Sequence, residues 1–147
     1  MIGPDLQPQS SNPSSFILHP STLSLSHVAD FYKRYPGEVV TFYTRLEIHE
    51  PADGLSLRVW LPDGLALRDY LSPQSDYVPN LETWEGGCYL VWSLPELPAG
   101  AVLEYQTRAT IARIEEDTSL TTQASVVSAD GSLLAEESVS LLIPGQG

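Results

Sequence analysis

The stretch from Pro36 to Leu65, PGEVVTFYTRLEIHEPADGLSLRVWLPDGL, leaves few folds open. From Val40 the apolar residues fall on every second position: Val40, Phe42, Leu46 and Ile48, with Thr44 keeping the parity. After Glu50-Pro51-Ala52-Asp53-Gly54 the same beat returns at Leu55, Leu57, Val59 and Leu61. A period of two puts each set on one face of a β-strand and is incompatible with an amphipathic helix. Pro62-Asp63-Gly64 then stops the second strand, because proline withholds a ladder donor and Asp-Gly tolerates the positive φ of a tight turn.

Further strands are expected on either side. Ser21 to Val28 alternates, with Leu23, Leu25 and one of His27 or Val28 turned inward. Leu65 to Leu71 follows, with Leu65, Leu67 and Asp69 on one parity. Ser72 to Gly87 reads as a long loop, and Tyr89 to Leu94 as a buried strand. Ala101 to Ile111 alternates again, and Leu120 to Ser128 and Ser138 to Ile143 close the chain across Asp130-Gly131. No long amphipathic helix is found. Short strands at this spacing predict an all-β fold, an Ig-like β-sandwich of seven to eight antiparallel strands. Its expected core includes Val40, Phe42, Leu46, Ile48, Leu57, Val59, Trp92, Leu103, Tyr105, Ile111, Val126 and Leu141. The expected organisation is a flexible Pro/Ser-rich tail over 1–20, one sandwich domain over 21–143 and a short tail over 144–147.

A chain of 147 residues is about one domain, long enough to bury a core without staples. Its 19 acids against 7 bases give a formal net charge of −12, which repels phosphate backbones and anionic membrane surfaces. Nucleic-acid binding is therefore not expected, nor membrane insertion, since no apolar run is long enough to span a bilayer. Cys88 is the single cysteine, so no intrachain disulfide can form. The N-terminus lacks the basic start and apolar core of a signal peptide.

In order, Gly37-Glu38, the two alternating strands, Leu61-Pro62-Asp63-Gly64-Leu65, Val91-Trp92-Ser93-Leu94, Leu97-Pro98-Ala99-Gly100 and Thr122-Gln123-Ala124-Ser125-Val126 resemble a known pattern. It is that of the Ig-like repeat domain of bacterial and archaeal surface proteins, over residues 36 to about 143. The sequence departs from the pattern at Glu50-Pro51-Ala52-Asp53-Gly54, where Asn-x-Gly is common, and at Thr122, where asparagine is. The resemblance implies a sandwich that serves as a structural, spacer or adhesive module without catalytic residues, extracellular or surface-associated. A single copy beginning with Met suggests an assembly subunit rather than a spacer.

Chemical motifs are sparse. His49-Glu50-Pro51-Ala52-Asp53 echoes a zinc-protease helix, but Pro51 and the strand period preclude the helix and the second histidine is missing. There is no nucleophile elbow and no phosphate-cradling loop. Catalysis through His19, His27, His49 or Cys88 is not expected, and Cys88 reads as a small core residue. An intrachain isopeptide from Lys33, the only lysine, to Asn12 or Asn80 is not expected either. No cofactor is expected. Calcium is the one ion considered, at Glu115-Glu116-Asp117 or at the Asp-Gly turns if these converge.

The aromatics carry the functional reading. Tyr43, Arg58 and Trp60 have the parity opposite to the core of their strands, and Trp, Tyr and Arg are enriched at interface hot spots. With Tyr77 and Trp84 from the 72–87 loop, and Phe16 and Leu18 from the tail, they make up the candidate interface. The expected function is a non-enzymatic structural or interaction subunit of a larger assembly, a filament or surface appendage, with protein partners or self-assembly. The alternative is a carbohydrate- or calcium-dependent binding module using the 72–87 loop with Asp76, Tyr77 and Trp84.

Overall fold

The structure, a computed structural model, describes residues 22–74 and 78–145. Phe16, Leu18, His19, Asp76 and Tyr77 lie outside these residues. Nine strands are present among them: β1 (Leu23–Ala29), β2 (Val39–Ile48), β3 (Ser56–Pro62), β4 (Leu65–Leu71), β5 (Asn80–Trp84), β6 (Gly87–Ser93), β7 (Val102–Ile111), β8 (Thr118–Val127) and β9 (Leu133–Ile143). They form two antiparallel sheets, one in the order β1-β2-β7-β4 and one in the order β5-β6-β3-β8-β9. The sheets stack as an Ig-like β-sandwich, with no helix among the described residues.

The alternating positions do what their period dictates. Val40, Phe42, Leu46 and Ile48 from β2 face Leu57, Val59 and Leu61 from β3 across the sandwich, all essentially inaccessible. The other expected core residues are buried with them. Trp92 sits at the centre: its ring lies 4.9 Å from Tyr105 and 6.1 Å, edge-on, from Tyr70, and its Nε1 donates to Ser72 Oγ at 2.8 Å.

Five described polar residues are buried, His27, Thr44, Thr107, Thr122 and Ser125, and three of them form one cluster. His27 of β1 stacks on Phe42 and is bonded at Nδ1 to Thr44 Oγ1 (2.9 Å) and at Nε2 to Thr122 Oγ1 (2.6 Å). It therefore ties the four-stranded sheet to β8 of the other sheet. Burial holds its pKa down to about 4, so it is neutral near pH 7, and hydroxyls, which donate or accept, satisfy both ring nitrogens.

Three expectations are corrected and one left open is decided. The 72–87 stretch is not all loop: β5 pairs with β6 from Asn80 to Trp84, and Glu85-Gly86 makes the turn, with Gly86 at φ +92°. A bulge between Leu67 and Asp69 reverses the parity of β4, so Tyr70 packs inward while Asp69 faces out and pairs with Arg108. In β1 it is His27 that turns inward, and Val28 is exposed. The last strand begins at Leu133, five residues earlier than its pattern suggests, and none of its residues before Leu141 is fully buried.

Candidate functional site

The outer face of β3 and β6 carries the feature that sets this molecule apart from a plain sandwich. Arg58 and Trp60 project from β3 on the side opposite to Leu57, Val59 and Leu61. Antiparallel register places Tyr89 of β6 directly across from Trp60, with ring centroids 4.7 Å apart and planes tilted by 55°. Trp84, at the end of β5, is 59% exposed and pairs with Gly87. Together Arg58, Trp60, Trp84, Glu85 and Tyr89 line a groove of about 330 Å³.

Gly87 is what makes the groove possible. A Cβ there would lie 2.7 Å from Cζ2 of Trp60 and 2.3 Å from the Leu61 carbonyl oxygen, so a larger residue would push the indole off the sheet. The floor is chemically unfinished: Nε of Arg58 is buried and has no hydrogen-bond partner among the described residues. A desolvated donor left unpaired is costly.

Of the expected interface residues, the groove brings together Arg58, Trp60 and Trp84. Tyr43 is elsewhere, on the outer face of the four-stranded sheet, where it is exposed beside Val28 and Gln106. Phe16, Leu18 and Tyr77 lie outside the described residues. Tyr89 and Glu85 were missed by the sequence reading. The available signal was Gly86-Gly87, a turn that pairs Trp84 with Gly87 and carries the chain on to Tyr89.

The remaining motifs resolve into structural roles. His49 Nε2 lies 2.8 Å from Ser24 Oγ, but no carboxylate orients the ring among its contacts. Cys88 is half-buried and packs against the core; burial, then the charge of Asp63, pushes its thiol pKa up and away from the nucleophilic thiolate. Lys33 lies beside β9 while Asn80 is on β5, at the opposite edge of the same sheet, so that pair cannot be joined. Asn12 lies outside the described residues.

The acidic turns fall into two groups rather than one, Asp53-Gly54 near Asp130-Gly131 and Asp63-Gly64 near the 115–117 stretch. Gly54 packs against Ala129 at one end of the sandwich, and Gly64 against Leu120 and Ile114 at the other. Asp130 accepts from Ser128 Oγ and from the Ser132 amide (3.0 Å), which hold its carboxyl down to about 2. Asp117 accepts from the Gly145 amide. Among the described residues no three metal-ligating side chains come together.

No family model and no curated protein matches the chain. Solved structures do. A major pilin subunit of Bacillus cereus, BcpA, superposes with a TM-score of 0.56 at 8% identity, over 84% of this chain and 40% of that one. The cohesin module of a family 33 glycoside hydrolase from Clostridium perfringens gives 0.54 at 14% identity, over 86% and 99%. AvmM, which catalyses macrocyclization in alchivemycin A biosynthesis, gives 0.52 at 15% identity, over 86% and 90%. At these identities the likeness is one of fold. The same sandwich thus serves as a pilin domain, as a cohesin module and in an enzyme, and the fold by itself does not choose among them.

Proposed function

We propose that the chain is a non-enzymatic interaction subunit of a larger assembly, such as a filament or surface appendage, and that it docks a protein partner through the outer face of β5, β6 and β3. The carrying observation is the groove itself: two tryptophans, a tyrosine and an arginine whose Nε has no partner, on a sheet face left open by the described residues. Large aromatics and arginine with a desolvated polar group beneath them are the composition of a binding hot spot rather than of a finished surface. The pilin and cohesin neighbours support the structural or interaction class, and the repeat-domain resemblance supports a surface location. The reading needs no cofactor.

A second reading has one observation in its favour. An exposed indole beside a second tryptophan and a tyrosine also suits the apolar face of a sugar ring, with Arg58 and Glu85 bonding hydroxyls. Native mass measurement across a range of protein concentrations separates the two. Oligomers or long assemblies that Trp84→Ala abolishes are expected. A monomer at every concentration that binds oligosaccharides through Trp84 would overturn the assembly reading in favour of the second.

A further inference from the structure

Resting on the assembly reading, we infer that the groove is the receptor for the proline-bounded segment Pro13–Pro20 (PSSFILHP) of a second copy of this chain, joining copies head to tail.

The two ends of the contact lie at opposite ends of the sandwich. Residue 22 is where the N-terminal segment joins the fold, and its carbonyl accepts from the amides of His49 and Glu50, at the end that also holds the Ala52–Leu97 bridge. The groove lies toward the other end, beside the turn where the Asp63 amide bonds the Gly86 carbonyl. The two are also on opposite flanks: β1 packs against β9 and β8, whereas Trp84 belongs to β5, the far edge of the same sheet. Strand spacing, strand rise and sheet separation put the path around the molecule on the order of 40 Å. Phe16 is six residues from Thr22, and an extended chain of that length reaches only about 19 Å. Phe16 to Pro20 therefore falls short of its own groove but meets that of a copy stacked end on end.

The chemistry of the segment matches. Prolines hold a chain extended and leave its carbonyls unbonded, which is how proline-containing peptides enter aromatic-lined grooves at low ordering cost. Such a carbonyl finds a donor in the guanidinium of Arg58, which lines the groove. Phe16, Leu18 and Pro20 share a parity and present apolar surface to Trp60, Trp84 and Tyr89. Charge favours this occupant over a folded face of another copy: residues 1–21 carry Asp5 as their single acid, in a chain of net charge −12. A donor at one end and a receptor at the other make a heterologous contact, which repeats into a filament unless its rotation closes a ring.

The experiment is a complementation test by sedimentation velocity on the full chain. Two variants are made: a donor-deficient Phe16→Ala/Leu18→Ala chain and a receptor-deficient Trp84→Ala chain. Each alone is expected to require at least about tenfold more protein for half-assembly. Mixed, they are expected to form dimers and nothing longer, since one intact donor and one intact receptor remain. Assembly that survives in the donor-deficient chain overturns this inference and leaves the assembly reading standing. Assembly lost in that chain but kept in the Trp84→Ala chain, both in wild-type-like fold by circular dichroism, overturns it by placing the segment elsewhere. A wild-type chain that is monomeric at every concentration overturns both.

Discussion

The two outer faces of this sandwich treat their arginines in opposite ways. On the four-stranded sheet Arg45 pairs with Glu47 and, at 3.4 Å, with Glu104, while Arg108 forms a two-point pair with Asp69 across the strand. Those contacts are exposed, and Arg108 holds the Asp69 carboxyl below its usual range through that hydrogen bond. On the five-stranded sheet Arg58 forms no ion pair among the described residues; it lines a groove with Trp60, Trp84, Glu85 and Tyr89, and its Nε is buried without a partner there. A chain with 19 acids is not short of carboxylates to place beside an arginine. The contrast separates a face completed within the chain from one that leaves its polar chemistry to an occupant.

The comparison holds only if both faces hang on one core, and the largest expected effect tests that. Phe42 is fully buried in the four-stranded sheet, whereas all three tryptophans lie on strands of the other. Phe42→Ala is expected to destabilise the fold by about 3–5 kcal/mol. In urea, the far-UV circular dichroism and tryptophan fluorescence transitions should shift together. A fluorescence transition left in place would mean that the sheets unfold separately and that the two faces are independent.

The link between the sheets is itself titratable. The folded pKa of His27 is about 4 against an ordinary histidine value of 6.5, so the unfolded chain takes up the proton first. A depressed base contributes its full stability above about pH 6.5 and loses it as pH falls toward 4, by about 3 kcal/mol in all. Asp69 and Asp130, both with lowered pKa values, release their contributions in a more acidic range. His27→Gln should flatten the urea midpoint between pH 6.5 and 4.5, whatever it does to stability at pH 7. A slope unchanged in that variant would assign the acid sensitivity to other groups.

What was legible in the sequence follows from where a period leaves a trace. Strands with one fully buried face announce themselves, which is why Val40 to Ile48 and Leu55 to Leu61 were readable to the residue. β5 has no such face: Asn80 to Trp84 is exposed almost throughout, so alternation had nothing to act on. The β4 bulge is a single extra residue that no pattern of apolar positions reveals, and it exchanged Asp69 for Tyr70 on the inner face. At the site, parity alone turned Arg58 and Trp60 outward. The Gly86-Gly87 turn joins Trp84 to the strand of Tyr89 locally, but that this hairpin meets Trp60 depends on β6 pairing with the distant β3, which a single sequence does not encode locally.

The smallest expected effect cuts closest to the contrast between the faces. Arg45→Met removes two exposed ion pairs, worth about 0–1 kcal/mol, and should lower stability slightly. Arg58→Met keeps an apolar stem at the groove and deletes a buried donor with no partner among the described residues, so it should leave stability unchanged or raise it by up to about 1 kcal/mol. Each substitution removes one positive charge from an acidic chain, so the general increase in self-repulsion cancels between them. Urea titrations in the Phe16→Ala/Leu18→Ala background keep assembly from contributing to either value. The order should reverse for assembly in the wild-type background: Arg58→Met weakens it and Arg45→Met does not. If Arg58→Met proves the more destabilising in the free chain, Nε has a partner in the folded molecule, and the five-stranded face is as complete as the other.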